Sequence, residues 1–308
     1  MKLVAYGDGA AARQVGVLAD GGVVDIGDLV AAALLAPERE RALRERGLTP
    51  AAGGIERWLH LDRRGRDSVA AQVRERLENG NNKKRPLDQV RLFAPIARPG
   101  KIVAVGRNYA DHAKETGVKP FEKPRIIAKL SSSVTDPGAV VRKPAAVKKF
   151  DFEAELAVVM GEFASNASEE QALGLVAGYT ILNDLSAREF QFDVNPAQTT
   201  FAKSMDGFCP MGPSLVTADE VGDPQSIQVT CWVNDVKMQD ANTSDMLFPV
   251  ATLIAYVTQF MTLEPGDVIA TGTPAGIGAF RTPPQWLGAG DRIRMELSRI
   301  GVLENTIG

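Results

Sequence analysis

Between residues 125 and 297 the chain is cut into short apolar runs by Gly, Pro, Asn and Asp, with almost no long helical stretch among them. Segments 125–130, 151–160, 176–183, 227–234, 267–271 and 291–297 are rich in Val, Ile, Leu and Thr and are bounded by turn residues, the signature of strands. Asn234-Asp235 predicts a hairpin into Val236-Lys-Met238. Segment 249–261 is apolar on most helical faces and opens with Pro249, which predicts a buried helix with proline in its first turn. Ser168-Glu-Glu-Gln171 is a capping box that marks another helix start. This mix implies a β-rich α+β fold. It argues against a doubly wound parallel sheet, which needs strands and long helices in regular alternation. Gly276-Ile-Gly278 is too short for a dinucleotide fingerprint.

The first third is organised differently. Segments 3–6 and 14–18 read as strands, Asp20-Gly-Gly22 turns the chain into Val23-Val-Asp-Ile26, and 28–35 reads as a helix with Asp28 near its start. Residues 38–80 carry helical periodicity broken by Gly47 and Gly53-Gly54. Segment 86–99 holds Pro86, Pro95 and Pro99 and reads as a linker. The chain is therefore expected to divide into residues 1–97, a smaller N-terminal α/β accessory domain with its linker, and residues 98–308, the chemistry-bearing domain.

At 308 residues there is material for an ample core. A net charge of −3 and a pI of about 5.6 leave no broad basic field for nucleic acid or an anionic membrane. The runs Arg39-Glu-Arg41, Arg44-Glu-Arg46 and Arg74-Glu-Arg76 mix signs as solvated helix faces do, and Lys83-Lys-Arg85 reads as part of the linker. Cys209 and Cys231 are too few for a thiolate zinc site and are expected to be reduced. The N-terminus runs straight into a strand without the apolar core of a signal peptide, and no apolar stretch approaches the roughly 18 residues of a membrane span. The expectation is a cytoplasmic enzyme.

The chemistry gathers in three places. Glu153-Ala-Glu155 opens the run Leu156-Ala-Val-Val-Met160, and residues two apart on a strand share a face. Asp184 closes a second run, and Ser186-Ala-Arg-Glu189 after it reads as a capping box, so a helix is expected to start there. Three oxygen ligands on rigid elements suit a hard divalent cation that keeps open positions. The competing reading is three solvated carboxylates. Upstream, His112 and Glu115 lie three apart on a short helix after Gly106, a spacing at which a carboxylate fixes the imidazole tautomer and raises its basicity. A helix-surface pair would have the same spacing. His60, the second of two histidines, has no carboxylate constellation and is assigned to structure.

Gly106-Arg-Asn-Tyr-Ala-Asp-His112, Asp151-Phe-Glu-Ala-Glu155, Gly178-Tyr-Thr-Ile-Leu-Asn-Asp184, Lys203-Ser-Met-Asp-Gly207 and Gly266-Asp-Val-Ile-Ala-Thr-Gly-Thr-Pro-Ala-Gly276 resemble, in order, the fumarylacetoacetate hydrolase family. The resemblance covers roughly residues 98–308. It implies a mixed β-sandwich roll, a homodimer, and Mg²⁺ or Mn²⁺ held by Glu153, Glu155 and Asp184. It further implies a catalytic dyad of His112 and Glu115, and Lys203 neutralising developing enolate charge. Arg188, Gln191 and Thr273 match substrate-contacting positions, although a wet helix face explains the first two equally well and plain turn chemistry the third. Val105 stands where the eponymous enzyme has a fourth acidic ligand, and Ala154 where many members have Gly. The first departure places the chain with the bacterial acylpyruvase-like branch, and the second slightly changes the packing beneath the ligands. The implied reaction is hydrolytic C–C cleavage of an acylpyruvate or other 1,3-diketo acid, with water activated by His112 and pyruvate enolate leaving. The alternatives are decarboxylation of oxaloacetate, isomerisation or hydration of a related 2-oxo acid, and a non-catalytic protein that binds a metal or a small acid.

Overall fold

The computed structural model describes residues 1–9, 13–35, 53–80, 83–115, 119 and 121–308. The expected helical stretch from 38 to 52, the charge runs at 39–46 and Gly117 lie outside the described residues. Each expected strand forms: Arg125–Lys129, Ala154–Met160, Val176–Asn183, Gln228–Val233, Val268–Ala270 and Arg292–Leu297, with Lys2–Gly7, Gln14–Ala19 and Gly22–Asp25 in the first third. The hairpin at Asn234-Asp235 places both residues at positive φ, 50° and 66°, before the strand Val236–Asn242. The buried helix is Val250–Thr258 with Pro249 as its N-cap, and the Ser168 capping box opens the helix Glu169–Ala172.

Among the strands that the sequence reading did not place, two are long. Cys209–Thr217 contains Pro210, Gly212 and Pro213, which break the usual strand pattern, yet it lies between two neighbours in the largest sheet. Gly301–Ile307 carries Glu304, Asn305 and Thr306 and is held by pairing with Arg292–Leu297. The helix expected at Ser186 starts later. Ser186–Ala187 pairs with Phe150–Asp151, and the helix is Arg188–Phe192 with Ala187 as N-cap. Ser186 Oγ donates to the Asp184 carbonyl, and Glu189 accepts from the Lys148 and Lys149 amides, so neither side chain closes a capping box.

Backbone pairing crosses the division expected near residue 97. Lys2–Gly7 pairs antiparallel with Cys209–Thr217, Leu3 opposite Leu215. Segment 86–99 is no free linker: Arg91–Phe93 pairs with Lys2–Gly7, and Lys84–Pro86 just before it pairs with Gly22–Asp25. Pro86 ends the edge strand Lys84–Pro86, and Pro95 and Pro99 lie outside the strands, where the missing N–H costs no ladder bond. A second, five-stranded sheet contains Gln228–Val233, Arg292–Leu297 and Gly301–Ile307. Among the described residues no helix is long and apolar enough to cross a membrane.

The strand Ala154–Met160 is buried on both faces. Leu156, Val158 and Met160 point into one core with Leu253, Ile254 and Met295, while Ala157 and Val159 point into another with Leu3, Trp58 and Val69. Burying each of the large aliphatic side chains contributes roughly 1.5–3 kcal/mol, so this strand is a rigid mount for what projects from its end.

Candidate active site

Register builds the site. Glu155 lies opposite Leu182 on the Val176–Asn183 strand. One step further out Glu153 faces Asp184, whose N–H donates to the Glu153 carbonyl at 2.9 Å. By the two-residue period Glu153, Glu155 and Asp184 share a face, and each offers an oxygen within 4.8 Å of the others. All three are buried, which removes the solvated-carboxylate reading. Glu155 Oε2 accepts from the Gly272 amide at 2.9 Å, and the Glu153 amide donates to Asn183 Oδ1.

Lys203 is 3 % exposed, at the end of the helix Thr199–Lys203. Its ammonium donates to Asp184 Oδ2 at 2.6 Å, Glu153 Oε2 at 2.9 Å and Ser186 Oγ at 3.0 Å. The expected catalytic lysine is therefore inside the site, with all three donors on protein oxygens. Arg188 is 1 % exposed and leaves no room for the wet-face reading. Its Nε donates to Asp151 Oδ2 at 2.8 Å, its Nη1 lies 2.7 Å from Glu153 Oε1, and Nη1 also donates to Gln191 Oε1 at 2.9 Å. Among the described residues its Nη2 has no hydrogen-bond partner although buried.

The electrostatics are lopsided. Burial pushes the Glu153 carboxyl upward, but Lys203 and Arg188 outweigh burial and hold it at about 2. Glu155 goes the other way: burial, then the charges of Asp184 and Glu153, raise it well above the ordinary carboxylate range. Burial works against the Lys203 ammonium, yet Asp184 and Glu153 raise its pKa. A buried carboxylate cluster that cannot comfortably hold its full negative charge fits a divalent cation, and an all-oxygen donor set suits Mg²⁺ or Mn²⁺. Glu153, Glu155 and Asp184 would hold it.

His112 lines the cavity that Glu153 and Asp184 also line, and Glu115 is hydrogen-bonded to it. His112 Nδ1 lies 3.0 Å from Glu115 Oε2, and Glu115 Oε1 accepts from the Gly276 amide at 3.0 Å. A carboxylate only accepts, so Nδ1 carries the proton and Nε2 is the nitrogen left for chemistry. His112 is buried, against the edge of Phe280 at 5.9 Å between ring centroids. His112, Glu153, Asp184, Arg188, Gln191, Lys203 and Thr273 line one cavity. The Thr273 hydroxyl, however, donates to the Ala154 carbonyl and accepts from Gln239 Nε2 at 2.7 Å, so it is committed to the turn. His60, at the C-cap of the helix Ile55–Leu59, is remote from this cavity's lining and burial lowers its pKa, in keeping with a structural part.

Three contributors were missed by sequence reasoning. Asp151 clamps Arg188 and accepts from the Gly278 and Ala279 amides. Its signal was present, since Asp151, Glu153 and Glu155 continue the same two-residue period. Lys129 Nζ sits 2.8 Å from Asp184 Oδ1 with its side chain fully buried; a lysine ending a strand carried no such signal. Gln239 ties the Ala154 amide to Thr273 and Pro274 from a distant strand, and nothing local pointed to it.

The comparisons agree with this geometry. The fumarylacetoacetate (FAA) hydrolase C-terminal family matches residues 101–308. Oxaloacetate tautomerase FAHD2A, mitochondrial, of Homo sapiens is 43% identical over 222 residues, 72% of this chain and 71% of the relative. The fumarylacetoacetate hydrolase EaFAH of psychrophilic Exiguobacterium antarcticum superposes with a TM-score of 0.77 at 32% identity, covering 100% of this chain and 99% of that one. Maleylpyruvate hydrolase of Sphingobium sp. SYK-6, solved with manganese(II) and pyruvate, gives a TM-score of 0.75 at 28% identity over 100% of this chain and 98% of that one. Motif order, fold and the composition of the buried carboxylate site concur, and the chain belongs to the fumarylacetoacetate hydrolase family.

Proposed function

We propose that the chain is a divalent-metal enzyme that forms the enolate of a 2-oxo acid, and that its principal reaction is keto–enol interconversion of an acid of the oxaloacetate type. The observation that carries this reading is that His112, hydrogen-bonded to Glu115, lines the same cavity as Glu153 and Asp184 of the carboxylate cluster. The tautomerase relative supports the choice of reaction. A bound cation supplies Lewis-acid polarisation of the 2-oxo carbonyl. His112 Nε2 takes the C3 proton and returns it to the enol oxygen, while Glu115 holds the ring and stabilises its charge. Lys203, Lys129 and Arg188 hold Glu153 and Asp184 in place and limit the negative charge of the pocket.

Hydrolysis of acylpyruvates is the second reading, favoured by the likeness to maleylpyruvate hydrolase. His112 then takes a proton from water, hydroxide adds to the distal carbonyl, and the C–C bond breaks with its electron pair on C3 of pyruvate enolate, which is reprotonated from His112. The test is a panel of oxaloacetate and acylpyruvates, scored for enol absorbance and for pyruvate release, in wild type and His112→Ala. The rate on the true substrate should fall roughly 10²–10⁴-fold while Mn²⁺ affinity is unchanged. A His112→Ala protein that turns over at the wild-type rate refutes the role given to the dyad.

A further inference from the structure

The helix Arg63–Glu78 is held on the core by Val69 and Val73. Beside that apolar stripe, Arg63, Arg66, Asp67, Ala70 and Arg74 follow one another at helical spacing and share a face. This polar face does not pack flush on the catalytic half. It lines a groove of about 270 Å³ whose other wall includes Leu173, Val176, Ala177 and Asp219, a size at the low end for small-molecule sites. Arg63 reaches across it, since a methyl added at Gly174 would stand 3.9 Å from Arg63 Nη1. None of the residues placed in the active site lines this groove.

Arg66 is committed to the protein, paired with Glu162 and donating to the Gly161 carbonyl. The other charges of the groove are not. Arg63, Asp67, Arg74 and Asp219 have no ion-pair partner within 4.0 Å among the described residues. Arg63 and Asp67 stand at the i, i+4 spacing that ordinarily pairs on a helix, yet they stay apart. Trp58, 3 % exposed, also lines the groove, and among the described residues its indole N–H has no acceptor. A buried donor left open marks a place that a water or a ligand completes. Two guanidiniums and two carboxylates, free of one another between walls of Ala70, Leu173, Val176 and Trp58, suit a molecule with both charges and an apolar body. We propose that the groove is a binding site for a small zwitterion, an amino acid with an apolar side chain. Its carboxylate is received by Arg63 and Arg74, and its ammonium by Asp67 and Asp219.

The test is calorimetric titration of the full chain with L-leucine, isocaproate and isoamylamine. The second lacks the ammonium of the first, and the third lacks its carboxylate. L-leucine should bind about tenfold or more tightly than either, as for an added charge-assisted hydrogen bond. Arg63→Gln should remove the advantage over isoamylamine, and Asp219→Asn the advantage over isocaproate. Both variants should keep the wild-type circular dichroism spectrum and basal turnover. EDTA should leave L-leucine binding unchanged, which separates the groove from the metal site. No binding, equal affinity for the three compounds, unchanged affinity in both variants, or binding lost with EDTA each overturns the proposal. Because the readout is binding, failure of the proposed reaction leaves this site standing.

Discussion

At the residue scale the site is a charge problem solved by pairing. Glu153 has Lys203 and Arg188 within 3 Å, Asp184 has Lys203 and Lys129, and Glu155 has a backbone amide but, among the described residues, no cation so close. That asymmetry explains why burial and its two acidic neighbours push Glu155 up while Glu153 is held down. A raised carboxyl means the folded, metal-free protein holds a proton that the unfolded chain releases at its ordinary pKa. Its contribution is complete below that ordinary value and is lost as pH rises through the folded one. A bound cation replaces the proton. The melting temperature of the EDTA-treated protein should therefore fall with rising pH above the ordinary carboxylate range, and the gain on adding Mn²⁺ should widen over the same window. Calorimetry of Mn²⁺ binding in buffers of different ionisation enthalpy should register proton release. In Glu155→Gln both effects should vanish; a variant that keeps them locates the proton elsewhere.

At the element scale the turn from Thr271 to Gly278 joins the two halves of the site. Gly272 reaches Glu155, Thr273 reaches Ala154, Gly276 reaches Glu115 and Gly278 reaches Asp151. Gly276 has φ 104°, and an added methyl would stand 2.0 Å from the Met238 carbonyl oxygen. The turn cannot accept it without moving. Gly276→Ala should therefore release Glu115 and cut kcat by an order of magnitude or more, with Mn²⁺ affinity near wild type because Glu153 and Asp184 rest on other elements. Stopped-assay kinetics beside metal titration checks the split. An unchanged kcat would show that the helix Ala110–Glu115 does not need this anchor.

At the scale of the whole molecule the first third closes the fold around the catalytic sheet. Leu3, Trp58 and Val69 share a core with Ala157, Val159, Leu182 and Leu215. Arg66 in the helix Arg63–Glu78 donates to the Gly161 carbonyl at 2.9 Å. Removing residues 1–97 would strip that core and leave Cys209–Thr217 as an exposed edge. The 98–308 fragment should bind a hydrophobic dye and self-associate, read by fluorescence and light scattering. A monodisperse fragment with wild-type turnover would instead make the division near residue 97 a true domain boundary.

Period and composition along the sequence were enough for the β-rich α+β class, the strands that carry Glu153, Glu155 and Asp184, and the His112–Glu115 pair, because each is a local pattern of spacing. The same patterns could not say that Lys203 and Arg188 are buried, nor find Lys129 and Gln239, since these reach the site from strands and helices far away in the chain. Cys209–Thr217 was hidden for the same reason: its glycine and prolines oppose strand structure locally, and pairing on both sides overrides them. Which carboxyl is pushed up and which is held down was decided by tertiary packing alone, because charge interactions depend on distance and burial and not on order along the chain.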